Sequence, residues 1–176
     1  NIDGSGVDQS FFTGVDVPRG MAVDQFGQVY WTNSQAGAIA RANLDGINQS
    51  FISGIAEPRG VAVDGGHVYW VNNAAGDNTV GRANLDGSAV DQGFVSGLDF
   101  PLGIAVAGGF IYWTNSASNT IGRASVNGTR VNQSFLGVPP GGDAFGVAAD
   151  PGVGICAGRE ATTVGTGRPD ALSGTK

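Results

Sequence analysis

VYWTN at residues 29–33 returns as VYWVN at 68–72 and as IYWTN at 111–115. The chain has three tryptophans, and each one follows a tyrosine and stands two places before an asparagine. Trp31, Trp70 and Trp113 are 39 and 43 residues apart. A second marker keeps the same step, with NIDG at 1, NLDG at 43 and 84, and SVNG at 125. Prolines agree: PRG begins at 18 and 58, PLG at 101. One unit of about 42 residues is written at least three times, which is the mark of a repeat architecture.

Within the second full unit the runs RGVAVD (59–64), HVYWVN (67–72), TVGRANL (79–85) and AVDQGFVS (89–96) read as short strands. Gly65-Gly66 and Asp86-Gly87 separate them as hairpin turns require. Each unit is therefore predicted to be a four-stranded antiparallel meander. Four-stranded units of this length, with a tryptophan on the second strand, predict an all-β fold of the β-propeller kind. Because strand side chains alternate between faces, Tyr30, Tyr69 and Tyr112 should lie on one face of their blades and Trp31, Trp70 and Trp113 on the other. A buried tryptophan removes roughly 200 Å² from water, so each would contribute several kcal/mol to packing between blades.

The blade boundaries follow from the repeat. Residues 1–14 read as the outer strand of a preceding blade, 15–53, 54–96 and 97–137 as full blades, and 138–176 as a degenerate, incomplete one. A shift of 43 places FGVAADPGVGICAG (145–158) on LGIAVAGGFIYWTN (102–115), which puts Ile155 and Cys156 in the positions of Tyr112 and Trp113. Terminal repeats often degenerate in this way.

The motifs P-x-G-(V/I)-A-V-D, YWTN, (I/V)-G-R-A-N-L-D-G and V-x-Q-x-F, in that order, resemble the YWTD repeats of the low-density-lipoprotein-receptor class B family, shared with nidogen. The resemblance runs well to about residue 136 and weakly to about 171. The chain departs from the family in having Asn33, Asn72 and Asn115 where the family name has Asp, and it resembles a divergent, bacterial-like member. The family implies a ring of six blades, more than this chain contains. Two explanations stay open: a piece of a larger ring, or four blades closed by the N-terminal strand. An open arc would expose the apolar flanks of its end blades and invite self-association.

Composition narrows the function. The formal net charge is −6 and the pI about 4.4, so a phosphate backbone would be repelled and nucleic acid is disfavoured as a partner. No apolar run approaches the roughly 20 residues of a spanning helix. Gly 31 in 176 residues speaks for many turns and against long helices. Cys156 is alone, so no internal disulfide forms and the redox compartment is not legible. The chain opens on NIDGSG without a basic-then-apolar leader, so any export signal would have been removed or lie outside it.

In an up-down meander the connections from fourth to first strand and from second to third emerge on one side. These are the longer and more varied segments, and function on a repeat scaffold sits on such loops. The candidate binding face is Asp16, Arg19, Asn33, Glu57, Arg59, Asn72, Asp77, Asp99, Phe100 and Asn115. The alternative is that Asn and Gly serve turn conformations and that Asp16/Arg19 and Glu57/Arg59 are solvated local pairs. Arg41, Arg82 and Arg123 recur on third strands, and Asp24 and Asp64 at the ends of first strands, as expected for structural pairing within or between blades.

Catalytic signatures are scarce. His67 is the only histidine and has no neighbouring Ser, Cys or second His. The expected function is a non-enzymatic binding module of a secreted, periplasmic or cell-surface protein, with no cofactor and with a protein or glycan partner. The second reading is a propeller enzyme of the lactonase or streptogramin-lyase type, its metal held near the axis by Asp24, Asp64, Asp150 and Glu57. A third makes the chain a spacer or assembly segment. Asn48, Asn127 and Asn132 lie in N-x-S/T sequons.

Overall fold

The computed structural model describes residues 14–43, 48–139, 144–150 and 154–157. The outer strand read over 1–14 lies, but for Gly14, outside these residues, as does the part of the degenerate blade after residue 157. The described part is all-β. Strands β1 (Pro18–Val23), β2 (Val29–Asn33), β3 (Ala38–Ala42) and β4 (Asn48–Ser53) form one antiparallel sheet in sequence order. A second sheet holds β5 (Pro58–Val63), β6 (His67–Ala74), β7 (Asp77–Asn84) and β8 (Asp91–Ser96) in the same order. The third holds β9 (Pro101–Ala107), β10 (Phe110–Asn115), β11 (Thr120–Ser125) and β12 (Asn132–Gly137). Strands β13 (Val147–Asp150) and β14 (Gly154–Ala157) pair as a fourth, two-stranded sheet.

The sheets stack through their first strands: β1 lies against β5, β5 against β9, and β9 against β13. Glycine permits that approach. A Cβ on Gly20 would come within 2.7 Å of the Arg59 carbonyl oxygen, and one on Gly60 within 2.9 Å of the Leu102 oxygen and the Ile104 nitrogen. On Gly103 it would lie 3.0 Å from the Gly146 Cα. The repeated P-x-G is thus the place where backbone meets backbone near the axis.

Away from that line the aromatic pair fills the joints. Tyr30 and Ile39 of the first sheet pack with Val61, Val68 and Trp70 of the second. Tyr69, Val71 and Val80 of the second pack with Ile104, Ile111 and Trp113 of the third. Tyrosine therefore faces the following blade and tryptophan the preceding one, as alternation requires. Tyr30, Tyr69, Trp70 and Trp113 are fully buried. Tyr112 is only half-buried, because the sheet it faces is the short β13–β14 pair. Trp70 and Trp113 lie flat on Gly81 and Gly122, where any Cβ would overlap the indole, and their Nε1 atoms donate to the side chains of Gln92 (3.3 Å) and Gln133 (3.1 Å).

Arginine ties the blades at their periphery. Arg41 Nη1 donates to the Leu85 carbonyl (2.7 Å) and Arg82 Nη1 to the Val126 carbonyl (3.3 Å), each reaching 44 residues ahead. Their guanidinium groups also stack on the fourth-strand rings Phe51 and Phe94, as Arg123 does on Phe135. The expected structural pairing is present, with arginine meeting carbonyls of the next blade and rings of its own fourth strand.

One register differs from the sequence reading. Ala105 opposes Tyr112 in the third sheet, and Ala148, its counterpart, opposes Cys156. Cys156 therefore occupies the tyrosine position and Ala157 that of tryptophan, one residue away from the assignment made by a simple shift. The cause is turn length: two residues separate the paired Ala107 and Phe110, whereas three separate Asp150 and Gly154. A one-residue slip moves side chains to the other face.

Candidate functional site

The loops entering the first strands share one backbone solution. Val17, Glu57 and Phe100, each just before the proline of P-x-G, have φ of 46°, 46° and 50°. Their carbonyls accept from the amides of Ser34, Asn73 and Ser116, all at 3.2 Å. Left-handed backbone is unfavourable for these residue types and a genuine outlier for a β-branched one, while the residue before a proline is pushed further toward extended conformations. Ten glycines take positive φ in the described residues. Here the chain places Val, Glu and Phe instead and leaves their side chains exposed, Phe100 at 57%.

Strand ends fix this geometry from below. Thr32 Oγ1 accepts from the amides of Gly20 (2.9 Å) and Arg19 (3.3 Å) and donates to the Arg59 carbonyl (2.8 Å). Thr114 Oγ1 accepts from Gly103 (2.8 Å) and Leu102 (3.3 Å). Asn33 Oδ1 accepts from the Asp16 amide and Asn115 Oδ1 from the Asp99 amide, both at 3.0 Å. Asn72 instead donates to Thr79 Oγ1 (2.7 Å) and the Gln92 carbonyl (3.2 Å).

These contacts sort the candidate face. Asn33, Asn72 and Asn115 are buried at 7%, 1% and 1%, so they are withdrawn from it: Asn33 and Asn115 hold loops to strands, Asn72 ties β6 to β7 and β8, and all three are closed to a partner. Asp16 and Asp99 are half-buried and contribute backbone amides to those clips. Arg19, Glu57, Asp77 and Phe100 are exposed and Arg59 is half-buried. Glu57 and Arg59 form an ion pair at 3.3 Å, whereas no such bond joins Asp16 to Arg19. Val15, Val17 and Phe145 add exposed apolar surface on the same loops. No sequence signal marked them, since valine and phenylalanine in a strand-rich chain read as core.

On the opposite face, Asp24 Oδ1 accepts from the amides of Phe26 (2.8 Å) and Gln28 (2.9 Å), and Asp64 Oδ1 from those of Gly66 (2.8 Å) and His67 (2.7 Å). Their other oxygens accept from Tyr30 (3.2 Å) and Tyr69 (3.1 Å). The aspartates thus shape the first hairpin of the first two blades and anchor their tyrosines. Glu57 precedes β5 and Asp64 follows it, about 20 Å apart for a strand of that length, so they do not converge. Among the described residues no three His, Cys, Asp or Glu side chains come together; the side chain of Asp150 lies outside them.

Burial and, next, the Asp64 charge push the Tyr69 phenol well above its ordinary value, and burial does the same to Tyr30. The unfolded chain releases these protons near pH 10 while the folded chain keeps them, so stability falls as pH rises beyond that point. Denaturation midpoints measured between about pH 9 and 11 should fall for the wild type and fall less steeply for Tyr69→Phe. Equal slopes would show that this phenol is not held protonated by the fold.

Residues 27–64 match the model of the low-density lipoprotein receptor repeat class B. They form a class B repeat. The matched span takes in β2 to β4 of one blade and β5 of the next, so a class B repeat straddles a joint. Among solved structures, the chain is similar to one described as the nidogen/laminin complex, with 28% identity and a TM-score of 0.63 over 77% of this chain and 54% of that one. It is also similar to virginiamycin B lyase from Staphylococcus aureus (22%, TM-score 0.61, 86% of this chain and 56% of that one). The computationally designed Ika4 protein matches at 11% identity and TM-score 0.62, over 89% of this chain and 96% of that one. The last two likenesses concern the fold alone. The chain spans about half the length of the nidogen chain it matches. No curated protein matches it.

Proposed function

We propose that this class B propeller segment is a non-enzymatic binding module of an extracellular protein, and that its axial loop face takes a protein partner. The observation that carries this is the trio Val17, Glu57 and Phe100: three unlike side chains displayed from the same unfavourable backbone, where glycine would relieve the strain. Strain kept at equivalent positions with changing side chains is accounted for by what those side chains meet. Exposed Val15 and Val17 enter the first blade, the Glu57–Arg59 pair the second and Phe100 the third, so apolar and charged side chains alternate along this face, the mixture of apolar and polar area that protein interfaces use. The nidogen structure, described as a complex with laminin, supports a protein rather than a glycan. The lyase reading draws on fold likeness and on carboxylates of which Asp24 and Asp64 are bonded within their own hairpins and Glu57 is paired with Arg59.

The test is binding of the immobilised chain to purified extracellular-matrix proteins, laminin included. Phe100→Ala and Arg19→Ala should weaken the bound partner by about tenfold or more, the range of interface anchors, with thermal stability unchanged. Binding that survives both substitutions would reject this face. Turnover dependent on a divalent ion would reject the non-enzymatic reading.

A further inference from the structure

The turns between third and fourth strands repeat one design. Asp86 Oδ1 accepts from the Ser88 amide (2.9 Å) and hydroxyl (2.6 Å), and at the equivalent place in the third blade Asn127 Oδ1 accepts from the Thr129 amide (3.1 Å) and hydroxyl (2.7 Å). The glycines that follow, Gly87 and Gly128, have φ of 86° and 81°. The fourth strands then begin alike: Asp91 Oδ1 accepts from the Gly93 amide and Asn132 Oδ1 from the Ser134 amide, both at 3.0 Å. A carboxylate oxygen and a carboxamide oxygen thus serve these two places equally well.

What the third blade adds is chemical. DGS at 86–88 and DQG at 91–93 become NGT at 127–129 and NQS at 132–134. These are two of the chain's three N-x-S/T sequons; the side chain of the third, Asn48, lies outside the described residues. The fold asks for neither amide nitrogen, since the Nδ2 atoms of Asn127 and Asn132 make no hydrogen bond among the described residues. Nor does it ask for the Ser134 hydroxyl, because glycine stands at that place in the second blade. Asn127, Thr129, Asn132 and Ser134 are all exposed, whereas Asn33, Asn72 and Asn115 are buried and engaged. The turn lies on the face opposite the entering loops, where the Val126 amide donates to the Gly109 carbonyl of the β9–β10 turn (3.0 Å), and β12 is the outer strand of its sheet.

We propose that Asn127 and Asn132 are acceptors of N-linked oligosaccharide. The donor is a polyprenyl-diphosphate-linked oligosaccharide. The asparagine Nδ2 forms a bond to C1 of the first sugar, the bond from C1 to the diphosphate oxygen breaks, polyprenyl diphosphate leaves with the electron pair, and Nδ2 gives up one proton. Thr129 and Ser134 supply the hydroxyl that the transferring enzyme requires two places after the amide. The inference rests on the extracellular reading above, since such transfer acts on chains that enter a secretory route. Sugar at these positions covers the outer edge of the third blade, whose unpaired backbone groups would otherwise invite strand addition, and leaves the entering-loop face open.

Secretion of the full chain from cultured mammalian cells, behind an export signal, tests this by peptide mass mapping before and after treatment with peptide N-glycosidase. Both asparagines should be found extended by sugar, and the glycosidase should leave aspartate in place of each. Thr129→Ala should abolish the extension at Asn127 and Ser134→Ala that at Asn132, while Thr129→Ser should keep it. Asn127→Asp and Asn132→Asp install the second blade's residues, so they should abolish the extension with denaturation midpoints unchanged. Secreted chain with both asparagines unmodified, or sugar that persists on Asn127 in Thr129→Ala, would overturn the proposal. A chain that carries both sugars yet binds no matrix protein would reject the partner reading and leave this inference standing.

Discussion

Trp70→Ala should destabilise the protein by roughly 3–5 kcal/mol, the range for removing a fully buried large aromatic side chain. The indole is 0% exposed, spans the joint between the first two blades, and rests on Gly81 with its Nε1 bonded to Gln92. Its loss removes the transfer energy of the ring and leaves a cavity that four-stranded sheets on both sides are too stiff to collapse. It also leaves the Gln92 amide oxygen without its donor. Met21→Ala serves as the comparison: at 67% exposure it should change stability by no more than about 0.5 kcal/mol. Urea denaturation followed by tryptophan fluorescence measures both. A Trp70→Ala cost below about 1 kcal/mol would mean that the joints are not where stability resides.

Gly60→Ala should be the second most damaging single change, about 3 kcal/mol, at the upper end of what an added core methyl costs. The new Cβ would lie 2.9 Å from the Leu102 oxygen and the Ile104 nitrogen and 3.2 Å from the Gly103 carbonyl carbon. All three are backbone atoms of β9, so no rotamer relieves the overlap and the two first strands must part. Gly93→Ala is the matched comparison, since a Cβ there meets nothing within 4 Å, and it should be neutral or slightly stabilising. Similar denaturation midpoints for the two variants would show that the glycine line near the axis is not close-packed.

Much of the fold was legible because bulky residues recur in a fixed order. A Tyr-Trp dipeptide in a strand must place its rings on opposite faces, and a 42-residue step can satisfy both rings only by stacking sheets. What sits on those faces was readable; what the loops do was not. Asn33, Asn72 and Asn115 resemble turn asparagines in sequence, yet each lies buried within a strand and bonds with loop or strand partners that a linear reading does not place beside it. Val17, Glu57 and Phe100 share no residue type, so their common backbone left no trace in composition. Cys156 was placed one residue off because alignment by a constant shift is blind to a turn that gains a residue. Exposure of Met21 was equally hidden, since its counterparts Val61 and Ile104 are core.

The arginine bridges have an evolutionary corollary. Donor and acceptor sit on successive repeats at a constant offset of 44 residues, so a single stretch of coding sequence carries the acceptor for its predecessor together with the donor for its successor. Unequal crossover that inserts or deletes one whole stretch therefore leaves every surviving seam matched, with no round of compensating substitution. Repeat number in such a lineage can drift quickly while the residues at the seams stay put.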